Sequence, residues 1–226
     1  MATPMRRIFR ENGLSLAMFG LFLLCEIGQI LTGLASYNDE RRDHGRPEVA
    51  MVQYLGSGHF IEALFENWES EFLQMAAFVV LSVSLRQKGS PESKDLEGEE
   101  EVDEDPRKKR DKKDAPWPVR RGGWVLKLYE HSLSLGLLLL FLLSFILHGV
   151  GGMKAYNEEQ RDHGQQPVSL AQFLESPQFW FQSFQNWQSE FLSIGVLVVF
   201  GIFLREKGSA ESKAVADPHS QTGGSP

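Results

Sequence analysis

Residues 133–153 read LSLGLLLLFLLSFILHGVGGM, with no Asp, Glu, Lys or Arg among them. A helix of about 20 apolar residues crosses a hydrocarbon layer roughly 30 Å thick, so this stretch predicts a membrane span. A second such run lies at 14–35, broken only by Glu26, Gln29 and small polar groups. Chain averages conceal both runs. The 226 residues are 42% apolar with a mean hydropathy of −0.24, ordinary values for a water-soluble protein, because greasy runs and dense charge blocks cancel.

The two runs belong to a longer self-match. A shift of 119 positions lays residues 11–94 on 130–213 without a gap, and roughly 40 of about 84 positions are identical. Tyr37-Asn38 matches Tyr156-Asn157, and Arg42-Asp43-His44-Gly45 matches Arg161-Asp162-His163-Gly164. Asn67-Trp68 and Ser70-Glu71-Phe72-Leu73 match Asn186-Trp187 and Ser189-Glu190-Phe191-Leu192. Each half has a second, shorter apolar stretch, Phe72 to Leu85 and Phe191 to Leu204. Ser176-Pro177 supplies an N-cap and a first-turn proline ahead of the second of these. The predicted helix from Pro177 to Leu204 is then about 42 Å long at 1.5 Å per residue, enough to cross. Trp180, Phe184, Trp187 and Phe191 recur on it at helical spacing and read as an interfacial aromatic belt.

The expectation is therefore an all-α membrane protein. Four transmembrane helices form two tandem helical-hairpin repeats of parallel orientation, related by a pseudo-two-fold axis along the membrane normal. The first repeat covers 1–95, a charged flexible linker 96–118, the second repeat 119–213 and a disordered tail 214–226. Short helices are expected around 48–56 and 168–175. Residues 1–13, 86–132 and 205–226 hold 18 of the 23 Lys and Arg, which by the positive-inside rule puts both termini in the cytoplasm. The match of the first span to a mid-chain copy argues against a cleaved signal. Packing is expected at small residues such as Gly20, Gly28, Gly33, Gly136 and Gly195.

Composition narrows function. A net charge of −7 argues against nucleic acid as a partner. The single cysteine, Cys25, excludes an internal disulfide framework and a cysteine-cluster zinc site. Nucleophile elbows, phosphate loops, dinucleotide fingerprints and His-Glu-x-x-His are missing, so no enzyme, catalytic residue, cofactor or metal is expected.

Polar residues inside spans are costly, so they become the candidates. Glu71 stands 15 residues before Arg86, about 22 Å along a helix, which places it about 7–8 Å inside the outer boundary of a roughly 30 Å core. Glu190 repeats that spacing, and Asn67 and Asn186 lie one turn above on the same faces. Across the pseudo-axis, Asn67, Glu71, Asn186 and Glu190 form a candidate ion or proton site, or a set of packing hydrogen bonds. Glu26 and His148 form a second candidate, as a proton-sharing pair or a helix–helix hydrogen bond. The loop motif Tyr37, Asn38, Asp43, His44 and its copy Tyr156, Asn157, Asp162, His163 admits three readings: backbone satisfaction, ligand binding, or metal.

The duplicated halves, the Tyr-Asn…Arg-Asp-His-Gly loops and the Asn-Trp-x-Ser-Glu-Phe-Leu helices resemble a bacterial family of small integral membrane proteins known only as a domain of unknown function. The resemblance covers the chain except its linker and tails. It implies a bacterial inner-membrane setting and brings no activity, cofactor or site residue. Two functions stay open: a non-enzymatic membrane protein with a structural or partner-binding role, or a small channel or proton/cation pathway. The expected partners are the lipid bilayer and an unidentified membrane protein, with a monomer as default.

Overall fold

The computed structural model describes residues 4–223, and regular structure among them is entirely helical. In chain order the helices are α1 (Pro4–Asp43), α2 (Met51–Leu55), α3 (Gly58–Ser84), α4 (Trp117–Arg121), α5 (Gly123–Glu130), α6 (Ser132–Asp162), α7 (Leu170–Leu174) and α8 (Pro177–Phe203). Short 3-10 turns lie at Glu101–Asp103 and Pro106–Lys109, within the charged linker. The predicted start of α8 is as the sequence implies: the Ser176 hydroxyl accepts the Phe179 amide, and Pro177 opens the first turn.

Among the described residues three helices, not the expected four, are long and apolar enough to cross a membrane: α1, α6 and α8. The exception is α3. At 27 residues it matches α8 in length, but its first half carries Glu62, Glu66, Glu69 and Glu71. The matched positions of α8 are Phe181, Gln185, Gln188 and Glu190. Each carboxylate at mid-membrane costs about 2.5–3.5 kcal/mol on insertion scales, which removes α3 from the strongly apolar class.

A second correction concerns the paired motif expected in loops. Helix α1 runs on through Tyr37 and Asn38 to Asp43, and α6 runs through Tyr156 and Asn157 to Asp162. Only the last residues turn. Gly45 and Gly164 both sit at φ 68°, the left-handed geometry that closes a helix, and their amides bond Arg42 and Arg161 carbonyls.

The chain divides into two compact units, Met1–Leu64 with Leu147–Leu174, and Phe65–Ile146 with Glu175–Pro226. In the first unit Tyr37, Tyr54 and Phe60 form a buried cluster with Ile30, Leu34, Val49 and Leu64 around it. Backbones approach closely here. A Cβ on Gly58 would lie 2.3 Å from the Ala155 nitrogen, and one on Gly151 would lie 2.5 Å from the Glu62 nitrogen. Gly151 and Ala155 are four apart on α6, the small-xxx-small spacing that lets two helix backbones approach closely. Tyr54 packs on Gly33 and Phe173 packs on Gly152, at matched positions of the two halves. Of the glycines expected to pack, only Gly33 does so; Gly20, Gly28, Gly136 and Gly195 have open space beside them.

In the second unit, Phe141 and Phe145 of α6 meet Phe179, Trp180 and Trp187 of α8 at ring-centroid distances of 5.3–6.5 Å. The helices α3 and α8 end alike. Arg86 donates to the Ser82, Val83 and Leu85 carbonyls, and Arg205 to those of Gly201, Ile202 and Leu204. Those carbonyls are orphaned by the helix ends. The Gln87 and Glu206 amides then bond the Ser93 and Ser212 hydroxyls. Beyond α8, buried Lys213 donates to the carbonyls of Gly89, Pro218, His219 and Gln221. Burial, and after it the neighbouring Arg205, holds this ammonium below its usual range.

Gly151→Leu should lower the thermal unfolding temperature in detergent, because overpacking such a contact costs about 1–3 kcal/mol. Gly20→Leu, with open space around it, should leave the melting curve unmoved.

Candidate functional site

The paired Tyr-Asn…Asp-His residues make mostly local contacts. Asn38 makes a two-way bridge to Val49, its amide donating to the carbonyl at 3.1 Å and its oxygen accepting the Val49 amide at 2.8 Å. Asn157 makes the same bridge to Val168, at 2.9 and 2.7 Å. His44 and His163 each place Nδ1 2.9 Å from a carbonyl one turn back, Glu40 and Glu159 respectively. Tyr156 packs against Phe173, while Tyr37 packs between Tyr54 and His59. Asp43 is exposed. Among the described residues no three His, Cys, Asp or Glu side chains converge as a metal site.

Within the same unit lies a charged cluster that the motif alone did not disclose. Glu158 accepts from Arg41 at 2.9 Å, from Arg46 at 2.7 Å and from the Tyr37 hydroxyl at 2.8 Å. Arg46 also pairs with Asp162. The four charged side chains are only 17–28% exposed. Two cations meet two anions, and the Glu158 oxygens are already used, so the arrangement is suited to locking rather than to capturing a ligand. Three of its members differ from their copies: Arg41 matches Gln160, Arg46 matches Gln165 and Glu158 matches Asp39. The two arginines whose copies are the neutral Gln160 and Gln165 were the available signal.

Of the intramembrane candidates, Glu71 is exposed and Glu190 half-buried. Asn186 donates to the Gln182 carbonyl of its own helix at 3.2 Å, and the Asn67 carbonyl accepts from the Ser70 hydroxyl. Sequence reasoning missed Glu69, which is fully buried and accepts the Trp187 indole N–H at 2.9 Å. Its copy is Gln188. Glu26 is half-buried, and its charge reaches Tyr54; burial first and then Glu26 hold the Tyr54 hydroxyl above its ordinary range. His148 is fully buried.

Arg46→Gln should destabilise the protein by about 1–3 kcal/mol, the scale of charge-assisted hydrogen bonds. Asp162→Asn should do less, and the double variant should lose little beyond Arg46→Gln, since the pair acts as a unit. His44→Ala should stay within about 0.5 kcal/mol. Detergent melting curves of the four proteins check this.

No curated protein and no solved structure matches the chain. A family model described as a domain of unknown function, DUF6766, matches residues 5–224. The chain therefore belongs to the DUF6766 family.

Proposed function

We propose that the protein is a multi-pass integral membrane component, non-enzymatic, with a structural or partner-binding role. The observation that carries this reading is the surface of α1. Its apolar window has none of its residues buried, and Leu14, Phe19, Leu23, Leu24, Ile27 and Leu31 all stand exposed. Water would penalise that surface at about 25 cal/mol per Å², whereas lipid or another membrane protein covers it at no such cost.

In this reading α3 is the fourth crossing. Its length supports that, as does the burial of Glu69 against Trp187, which offsets the cost of one of its four carboxylates. The chain then forms two tandem hairpins of one orientation in a bacterial inner membrane, as a monomer without nucleic acid or cofactor. The Lys and Arg bias favours both termini in the cytoplasm. A second reading, a proton or cation pathway, is favoured by the matched positions of Glu71 on α3 and Glu190 on α8.

Alkaline carbonate should leave the protein in the membrane pellet; release into the supernatant would refute integration. In liposomes with an imposed pH gradient, proton leak should equal that of empty vesicles, and Glu71→Gln with Glu190→Gln should change nothing. A leak that the double variant abolishes would replace the first reading with the second.

A further inference from the structure

The last turns of α3, the segment that follows it and the junction of α5 with α6 enclose a groove of about 980 Å³. That is the size of a small-molecule site. One wall is apolar, formed by Phe78, Val79, Val80, Val83 and Leu133. Val80, Val83 and Leu133 are also strongly exposed, so this wall continues the apolar surface of the two helices.

The rest of the lining is acidic. Glu92, Glu100, Asp103 and Glu130 belong to it, against a single Lys or Arg, Lys94. Lys94 is itself paired with Asp103. Three carboxylates remain without a compensating cation on the lining. The Glu130 side chain makes no hydrogen bond or ion pair among the described residues, and the Glu100 carboxylate accepts from backbone amides and meets no cation. Burial, and then the adjacent Glu211, hold the Glu92 carboxyl above its ordinary range, a strain that a bound cation would relieve.

An apolar wall open to the membrane and an acidic remainder of the lining match one kind of occupant. We propose that the groove seats a phospholipid with an ammonium headgroup, its chains along Val80, Val83 and Leu133 and its ammonium among Glu92, Glu100 and Glu130. Lipids whose headgroups are only anionic are repelled by the same carboxylates. The inference rests on the membrane reading above, since it takes this end of α3 and α6 as the bilayer boundary.

The test is competitive lipid retention, read by native mass spectrometry. Purified full-length protein is offered equal amounts of phosphatidylethanolamine and phosphatidylglycerol with the same acyl chains. Phosphatidylethanolamine should be retained roughly fivefold more, the scale of one charge contact near a membrane surface. Glu100→Gln with Glu130→Gln should bring the ratio near one, while Glu99→Gln, outside the groove, should keep it. Free ethanolamine should not displace the lipid. Equal retention by the native protein, a ratio untouched by the double variant, or displacement by free ethanolamine would each overturn the proposal. Equal retention by a protein that resists carbonate extraction defeats the groove alone, whereas release by carbonate defeats the membrane reading too.

Discussion

Two backbones approach closely where Gly58 of α3 lies against Gly151 and Ala155 of α6. In lipid, apolar side chains gain no hydrophobic free energy by finding each other. What remains is dispersion, and it requires atoms within van der Waals range. Only glycine and alanine permit that range at this crossing. The seating of Tyr54 on Gly33 and of Phe173 on Gly152 obeys the same rule, with an aromatic ring filling the room that a missing Cβ leaves. The Arg41–Glu158–Arg46 cluster adds charge-assisted bonds in the same unit.

Many of the residues shared by the two halves do the same local task in each. Shared residues close helix ends locally. Asn38 and Asn157 bridge to Val49 and Val168, and Arg86 and Arg205 cap the final carbonyls of their own helices. A helix end needs such partners whatever surrounds it. Several contacts that occur in one half alone involve a residue that differs from its copy, paired with shared residues such as Tyr37, Asp162 and Trp187. Arg46, Glu158 and Glu69 stand where the other half has Gln165, Asp39 and Gln188, and each of the three makes an ion pair or hydrogen bond to a residue far along the chain.

That division explains what was legible in the sequence. The helical class, the α1 and α6 spans and the capped start of α8 rest on run length and on local cap chemistry, which one sequence displays. The Tyr-Asn motif was visible, yet its helical setting was not, because Gly45 and Gly164 mark where the turn ends and say little about where it starts. The packing glycines were misplaced for a physical reason: mid-span glycines such as Gly20 and Gly28 look suited to helix contact, but the contacts lie further along, at Gly33, Gly151 and Gly152. Glu69 escaped notice beside Glu71 because only the latter is shared with α8. Its burial depends on Trp187 from another helix, a long-range contact that spacing does not reveal.

Side-selective cysteine labelling tests the tandem-hairpin arrangement most directly. In a Cys25→Ser background, Glu48→Cys and Gln166→Cys report the two loops between spans, and Asp111→Cys reports the linker. Both loop positions should react with an impermeant thiol reagent from the same face of the membrane, and the linker position only from the opposite face. Loop positions reacting from opposite faces would contradict the arrangement.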